Sequence, residues 1–136
     1  MQKTLLTSLA LLTLWPGATL ATNLGCPQPI RISEQLAEPA PDTWSAATDT
    51  SARYLEGVSF FDGRPEKQAS LAPTRDAKSG RHRVAIWTFG ESGVPVWIVC
   101  RYLSSGIMLQ KPLPASYREC RVSYGAGEMI TAIECR

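Results

Sequence analysis

The chain has 136 residues, with 14 Lys and Arg against 12 Asp and Glu, for a formal net charge of +2. That length allows one domain. So even a charge balance leaves no basic stripe for nucleic acid and no polybasic patch for a membrane surface.

Met1-Gln2-Lys3 is a weakly basic start, Thr4 to Leu14 is an apolar run, and Pro16-Gly17 breaks it. Thr19-Leu20-Ala21 then offers the small residues that a signal peptidase reads. The pattern predicts a secretory signal peptide over residues 1–21, cleaved after Ala21. An apolar run of about ten residues cannot span a hydrocarbon core of roughly 30 Å, so no stable membrane anchor is expected. Lipidation of Cys26 is the lesser alternative, because Asn23 stands where a lipobox carries Leu. All four cysteines, Cys26, Cys100, Cys120 and Cys135, follow the cleavage point. An even number in a small exported domain reads as two disulfides. A zinc site would need closely spaced pairs such as C-x-x-C, which this sequence lacks.

Residues 22–51 are rich in Pro, Ala, Ser and Thr, and Pro27, Pro29, Pro39 and Pro41 interrupt regular structure. This segment is expected to pack on the domain that follows. Gln28 to Ile32 offers a short edge strand tied by Cys26, Ser33 to Leu36 one helical turn, and Trp44 an anchor onto the sheet.

The β domain is expected over residues 52–136. Arg53 to Phe61 alternates as a strand does, and Asp62-Gly63 turns the chain. Gln68 to Leu71 reads as a short return closed by Pro73. Thr74 to Gly80 is polar and reads as a loop with its tip at Lys78-Ser79-Gly80. In His82 to Phe89, Val84, Ile86 and Thr88 face one way while Ala85, Trp87 and Phe89 face the other. Gly90 to Gly93 leads into Val94 to Tyr102, the strongest strand signal, and the spacing predicts a hairpin of the two. Ile107 to Gln110 returns, and Pro112 and Pro114 end it. Arg118 to Tyr124 and Met129 to Glu134 form a terminal hairpin around Gly125-Ala126-Gly127. The pattern predicts an all-β fold, an antiparallel sandwich or small barrel of about seven strands stapled by two disulfides. If the last hairpin turns at Ala126, Cys120 faces Thr131 or Ala132 rather than Cys135. The expected pairs are therefore Cys100 with Cys120 and Cys26 with Cys135.

The single His, His82, stands between Arg81 and Arg83, and no G-x-S-x-G elbow accompanies it. The carboxylates are scattered: Asp62 serves a turn, and Glu119, Glu128 and Glu134 lie on the terminal hairpin. No phosphate-cradling loop or dinucleotide fingerprint is present. The expectation is a protein without enzymatic activity, cofactor or metal, whose business is binding. In the pair Phe60-Phe61 successive side chains point to opposite faces, so one ring is core and the other a candidate contact beside Asp62 and Arg64. Phe61 folded over the core beneath a loop is an equal reading. Thr74 to Arg83 carries Arg75, Asp76, Lys78, Arg81 and Arg83, a run that usually is only a solvated face but would also suit an acidic partner, with Arg75, Lys78 and Arg81 the candidate contacts.

Several of these residues together form a pattern: Cys26-Pro27; Phe60-Phe61-Asp62-Gly63-x-Pro65 with Ala69-Ser70-Leu71-x-Pro73; Trp97-x-x-Cys100-x-Tyr102; Leu109-x-x-x-Leu113-Pro114; Cys120-x-Val122; and Cys135. The chain resembles a family of small exported bacterial proteins, some of them associated with type VI secretion clusters. The resemblance implies a periplasmic immunity protein. It would bind a cognate secreted effector one to one and block it by occlusion, the expected effector being a phospholipase, of phospholipase D type. A periplasmic lysozyme inhibitor or an envelope-binding module is the alternative.

Overall fold

The computed structural model describes residues 25–136. The expected signal peptide and its cleavage after Ala21 lie outside the described residues. Eight strands follow one another: β1 (Leu55–Asp62), β2 (Ser70–Leu71), β3 (Arg75–Ser79), β4 (His82–Thr88), β5 (Val96–Tyr102), β6 (Met108–Pro112), β7 (Glu119–Tyr124) and β8 (Ile130–Cys135). They form two four-stranded antiparallel sheets, ordered β2-β1-β5-β6 and β3-β4-β7-β8. The fold is the expected all-β sandwich, with one strand more than the sequence suggested.

The core lies between the sheets, built by the period-two rule. The first sheet contributes Val58 and Phe60 from β1 and Ile98, Cys100 and Tyr102 from β5; the register pairs Val58 with Cys100 and Phe60 with Ile98. The second contributes Ala85, Trp87, Cys120, Val122 and Ile133, in two rungs that pair Trp87 with Cys120 and Ala85 with Val122. Phe60 has no exposed surface, and its ring meets those of Trp87 and Phe89 at 4.9 and 5.6 Å. Burying such a ring contributes roughly 1.5–3 kcal/mol. The Trp87 indole N–H donates to Leu71 O at 2.9 Å, and the buried Tyr102 hydroxyl donates to Pro27 O at 2.9 Å. Both polar tips are thereby satisfied inside the core.

Six expectations are corrected. The hairpin of His82–Phe89 with Val94–Tyr102 does not form, because β4 and β5 belong to different sheets. Each carries one apolar face. Either arrangement would bury that face; here β4 lies beside β7 and β5 beside β1, so the two faces meet across the sandwich. Thr74 to Gly80 is not a loop but contains the edge strand β3, paired with β4 from Arg75↔Ile86 to Ser79↔His82. Of the expected tip Lys78-Ser79-Gly80, only Gly80 lies in the turn, which is Gly80-Arg81; Lys78 and Ser79 pair within β3, and Gly80, φ 59, takes the first turn position, where positive φ is required.

The disulfides also differ: Cys26 pairs with Cys100 and Cys120 with Cys135. The terminal hairpin turns at Ala126–Glu128, with Gly127 at φ 68, and a bulge lies between Ser123 and Tyr124. This moves the register by three residues from a turn centred on Ala126 and sets Cys120 directly opposite Cys135, with Cα atoms 4.1 Å apart. Cys100 faces inward from the other sheet and takes Cys26 instead.

The N-terminal segment holds less structure than expected. Ile30 forms a single bridge with Arg53 in place of a strand, and residues 33–36 form no helical turn. The bridge closes residues 31–52 into a protruding loop. Trp44 is 77% exposed on it, so this side chain does not anchor the segment. What fastens the chain there is Cys26, the Pro27 carbonyl and the Ile30 bridge.

Candidate partner-binding surfaces

The sequence-predicted contact residues fall on two separate surfaces. Phe61, Asp62 and Arg64 lie at one end of the first sheet; Arg75, Lys78 and Arg81 lie on the β3–β4 hairpin of the second.

On the first surface, the alternation that buries Phe60 turns Phe61 to the outer face of its sheet. There it is half-buried and pairs with Trp97 of β5. The chain then reverses at Gly63, φ 84, whose N–H donates to Pro95 O at 3.1 Å. A single 3-10 turn, Pro65–Lys67, folds the segment back across this face. The Arg64 guanidinium lies over the Trp97 ring, 5.3 Å from its centroid. The Gln110 amide donates to Glu66 at 3.1 Å, and the Glu66 carboxyl is held below its ordinary range by its own backbone N–H and then by Gln110. Asp62 accepts from the Ser92 hydroxyl at 3.3 Å, which ties the end of β1 to the connection between β4 and β5. Val99, also pointing outward, is only 3% exposed. Next to it, Arg101 lies flat over Gly57, where a Cβ would stand 2.5 Å from its Nη2. Trp97 and Arg101 were not among the predicted contacts. The signal for Trp97 was its odd offset of three from Cys100, which places the two side chains on opposite faces of β5.

The second surface is an ion-pair network with two loose cations. Arg83 makes a two-pronged contact with Asp76 at 2.6 and 2.8 Å and reaches Glu128 at 3.1 Å. It also lies over the Tyr124 ring, 4.7 Å from its centroid. Lys78 joins at Glu128, at 3.3 Å. Hydrogen bonding to Arg83 holds the Asp76 carboxyl below its usual range, and Arg83 with Lys78 does the same for Glu128. The same bonds push Arg83 upward, while burial raises Tyr124. Lys78 is thus engaged within the protein, whereas Arg75 and Arg81 make no ion pair among the described residues.

A third feature was not foreseen. Tyr54, Leu103, Ile107, Met108 and Leu109 are between 37% and 60% exposed and gather around the β5–β6 turn and along β6. Leu103 N–H donates to Tyr54 O at 2.9 Å, which brings the start of β1 to this corner. Met108 pairs with outward Arg101 and Leu109 with inward Cys100, so these apolar side chains flank the edge on both faces; exposed apolar groups gathered like this mark interaction surfaces.

For catalysis or metal binding the arrangement offers little. His82 is exposed at the start of β4, and among the described residues no three His, Cys, Asp or Glu side chains are grouped to hold a metal ion. What the surfaces present is aromatic rings backed by arginines, the side chains that dominate protein interfaces.

Comparison with known proteins bears on what such surfaces serve. The chain is 28% identical over 130 residues to an uncharacterized 16.3 kDa protein in the trpG 5′ region of Azospirillum brasilense, a match that covers 90% of this chain and 85% of that protein. No solved structure matches it. Residues 48–136, which include all eight strands, match the family model of the Type VI secretion system Tli immunity protein. The chain belongs to the type VI secretion Tli immunity protein family.

Proposed function

We propose that this protein works in the periplasm, where it binds a cognate type VI secreted effector in a one-to-one complex and blocks it by occlusion. The effector is a phospholipase, of phospholipase D type, as the sequence resemblance implies. The observation that carries this reading is the family match over the whole sandwich. Two disulfides support it, since such bonds persist in oxidising compartments. The outer face with Phe61, Arg64, Trp97 and Arg101 is the principal contact surface. Asp62 ties the end of β1 to the connection between β4 and β5, and Arg75, Lys78 and Arg81 supply a second, cationic contact. The protein acts by binding alone and contributes no catalytic group.

The test is phospholipid hydrolysis by a purified type VI phospholipase effector from the same cells. One molar equivalent of the immunity protein is expected to abolish it. Deletion of the gene is expected to expose cells to killing by an armed sibling. Full hydrolysis in the presence of excess protein would defeat the reading.

A further inference from the structure

Each sheet has two edges, and the four differ in what they offer a partner; β2 covers β1 only at Phe60 and Phe61. β2 is two residues long and is followed by Pro73. β3 carries Asp76 and Lys78, both engaged by charged partners on neighbouring segments. β8 is covalently bridged to β7 and shifted by a bulge. Short length, charge and irregularity are the ordinary means of keeping an edge from pairing. β6, like β3, is exposed at all five residues, but its one charged side chain, Lys111, makes no ion pair among the described residues, and the exposed apolar side chains of Tyr54, Leu103, Ile107, Met108 and Leu109 lie on or beside it.

The hydrogen-bond phase of β6 can be read from one bond. Leu113 N–H donates to Val96 O at 2.7 Å, so Leu113 is a hydrogen-bonded partner of β5. Antiparallel ladders alternate, so Lys111 and Leu109 also point their backbone groups at β5, while Met108, Gln110 and Pro112 point theirs outward. Pro112 thus stands where a missing N–H costs the sheet nothing. Met108 and Gln110 offer a free donor and acceptor each.

We infer that β6 accepts an extended segment of the effector as an added strand, and that this segment carries acidic as well as apolar side chains. The inference rests on the immunity-protein reading. Strand addition draws affinity from backbone bonds and specificity from side chains on either face. Here Arg101 lies on the outer face beside Met108, and Lys111 projects from the opposite face of β6. Neither makes an ion pair among the described residues. A strand laid on this edge therefore meets one unpaired cation on each face, which acidic side chains complement. A second copy of the chain fits worse. It would bring the same two cations, and a symmetric pairing about Gln110 would set Met108 against Pro112, losing a donor at both ends.

The test titrates that purified effector with the mature wild-type protein and with Gln110→Pro, Gln110→Ala and Met108→Asp. Gln110→Pro removes an outward N–H that β5 does not use, while Gln110→Ala keeps it and removes only the side chain. Expected is binding weakened about tenfold or more by Gln110→Pro and by Met108→Asp, with Gln110→Ala near wild type. In the wild-type complex, hydrogen exchange at the Met108 and Gln110 amides should slow. Unchanged affinity in Gln110→Pro and Met108→Asp, with exchange at β6 unaltered, would overturn strand addition and leave the immunity reading standing. Failure of the wild-type protein to bind the effector would overturn both. A wild-type dimer that Gln110→Pro renders monomeric would assign the edge to a second copy and overturn the inference.

Discussion

Phe60 meets Trp87 across the two sheets, ring centroids 4.9 Å apart, while its neighbour Phe61 lies on the opposite face against Trp97. One residue step separates a ring that holds the sandwich together from a ring available to a partner. Phe60→Ala is expected to cost about 3–5 kcal/mol, from lost transfer energy and the cavity left behind. Phe61→Ala should cost about 1 kcal/mol of stability. In a binding assay the order reverses among folded variants, with Phe61→Ala weakening the complex. Urea denaturation and calorimetric titration of both variants check this.

The two disulfides close very different loops, with sequence separations of 74 and 15. In the chain-entropy account, removing Cys26–Cys100 costs about 4 kcal/mol and removing Cys120–Cys135 about 3 kcal/mol. Paired Cys→Ser variants compared by chemical denaturation test the ranking. Non-reducing peptide mapping should recover Cys26 with Cys100. A Cys100–Cys120 peptide would contradict the fold described above.

Asp76 and Glu128 both have carboxyls held below their ordinary values of 3.8 and 4.5 by Arg83. A folded-state value below the unfolded one favours folding at pH above the unfolded value. The contribution is lost as pH falls through the folded value. Both carboxylates are exposed, so the effect is small and screened by salt. Asp76→Asn should therefore make the urea midpoint less sensitive to acid below 3.8, with the difference shrinking in high salt.

Trp44 and Trp87 offer a contrast in accessibility, 77% against 6% exposed. Iodide should quench Trp44 fluorescence readily and leave Trp87 nearly untouched. Trp44→Ala should change stability by no more than about 0.5 kcal/mol. A larger loss would mean that the loop packs onto the domain after all.

Much of the candidate site was legible because a strand reports its own faces. Alternation in Phe60-Phe61 identified one ring for the core and one for the surface, and Asp62-Gly63 marked the turn that places Arg64 near that surface. It could not say what covers the outward ring. That depends on the Pro65–Lys67 turn folding back and on Trp97 arriving from a strand thirty-odd positions away in the register Phe61↔Trp97. Lys78 looked like a free cation beside Arg75 and Arg81. Its partner Glu128 comes from the last turn of the chain, fifty residues on.

Local quantities were readable along the chain: strand periodicity, the inward set Ala85, Trp87 and Phe89, the Gly80 turn, and an even number of cysteines. Each depends on residues within a few positions of one another, where side-chain direction and backbone freedom are set by short-range sterics. Only the tertiary structure decided which strands stack and which lie side by side, because one apolar face can be buried either way. It decided the cysteine pairing as well: the turn at Ala126–Glu128 and a bulge move the register by three residues and put Cys135, not Ala132, opposite Cys120. It alone exposed the β6 edge, since an edge is defined by the strand that is missing beside it, which no stretch of its own sequence records.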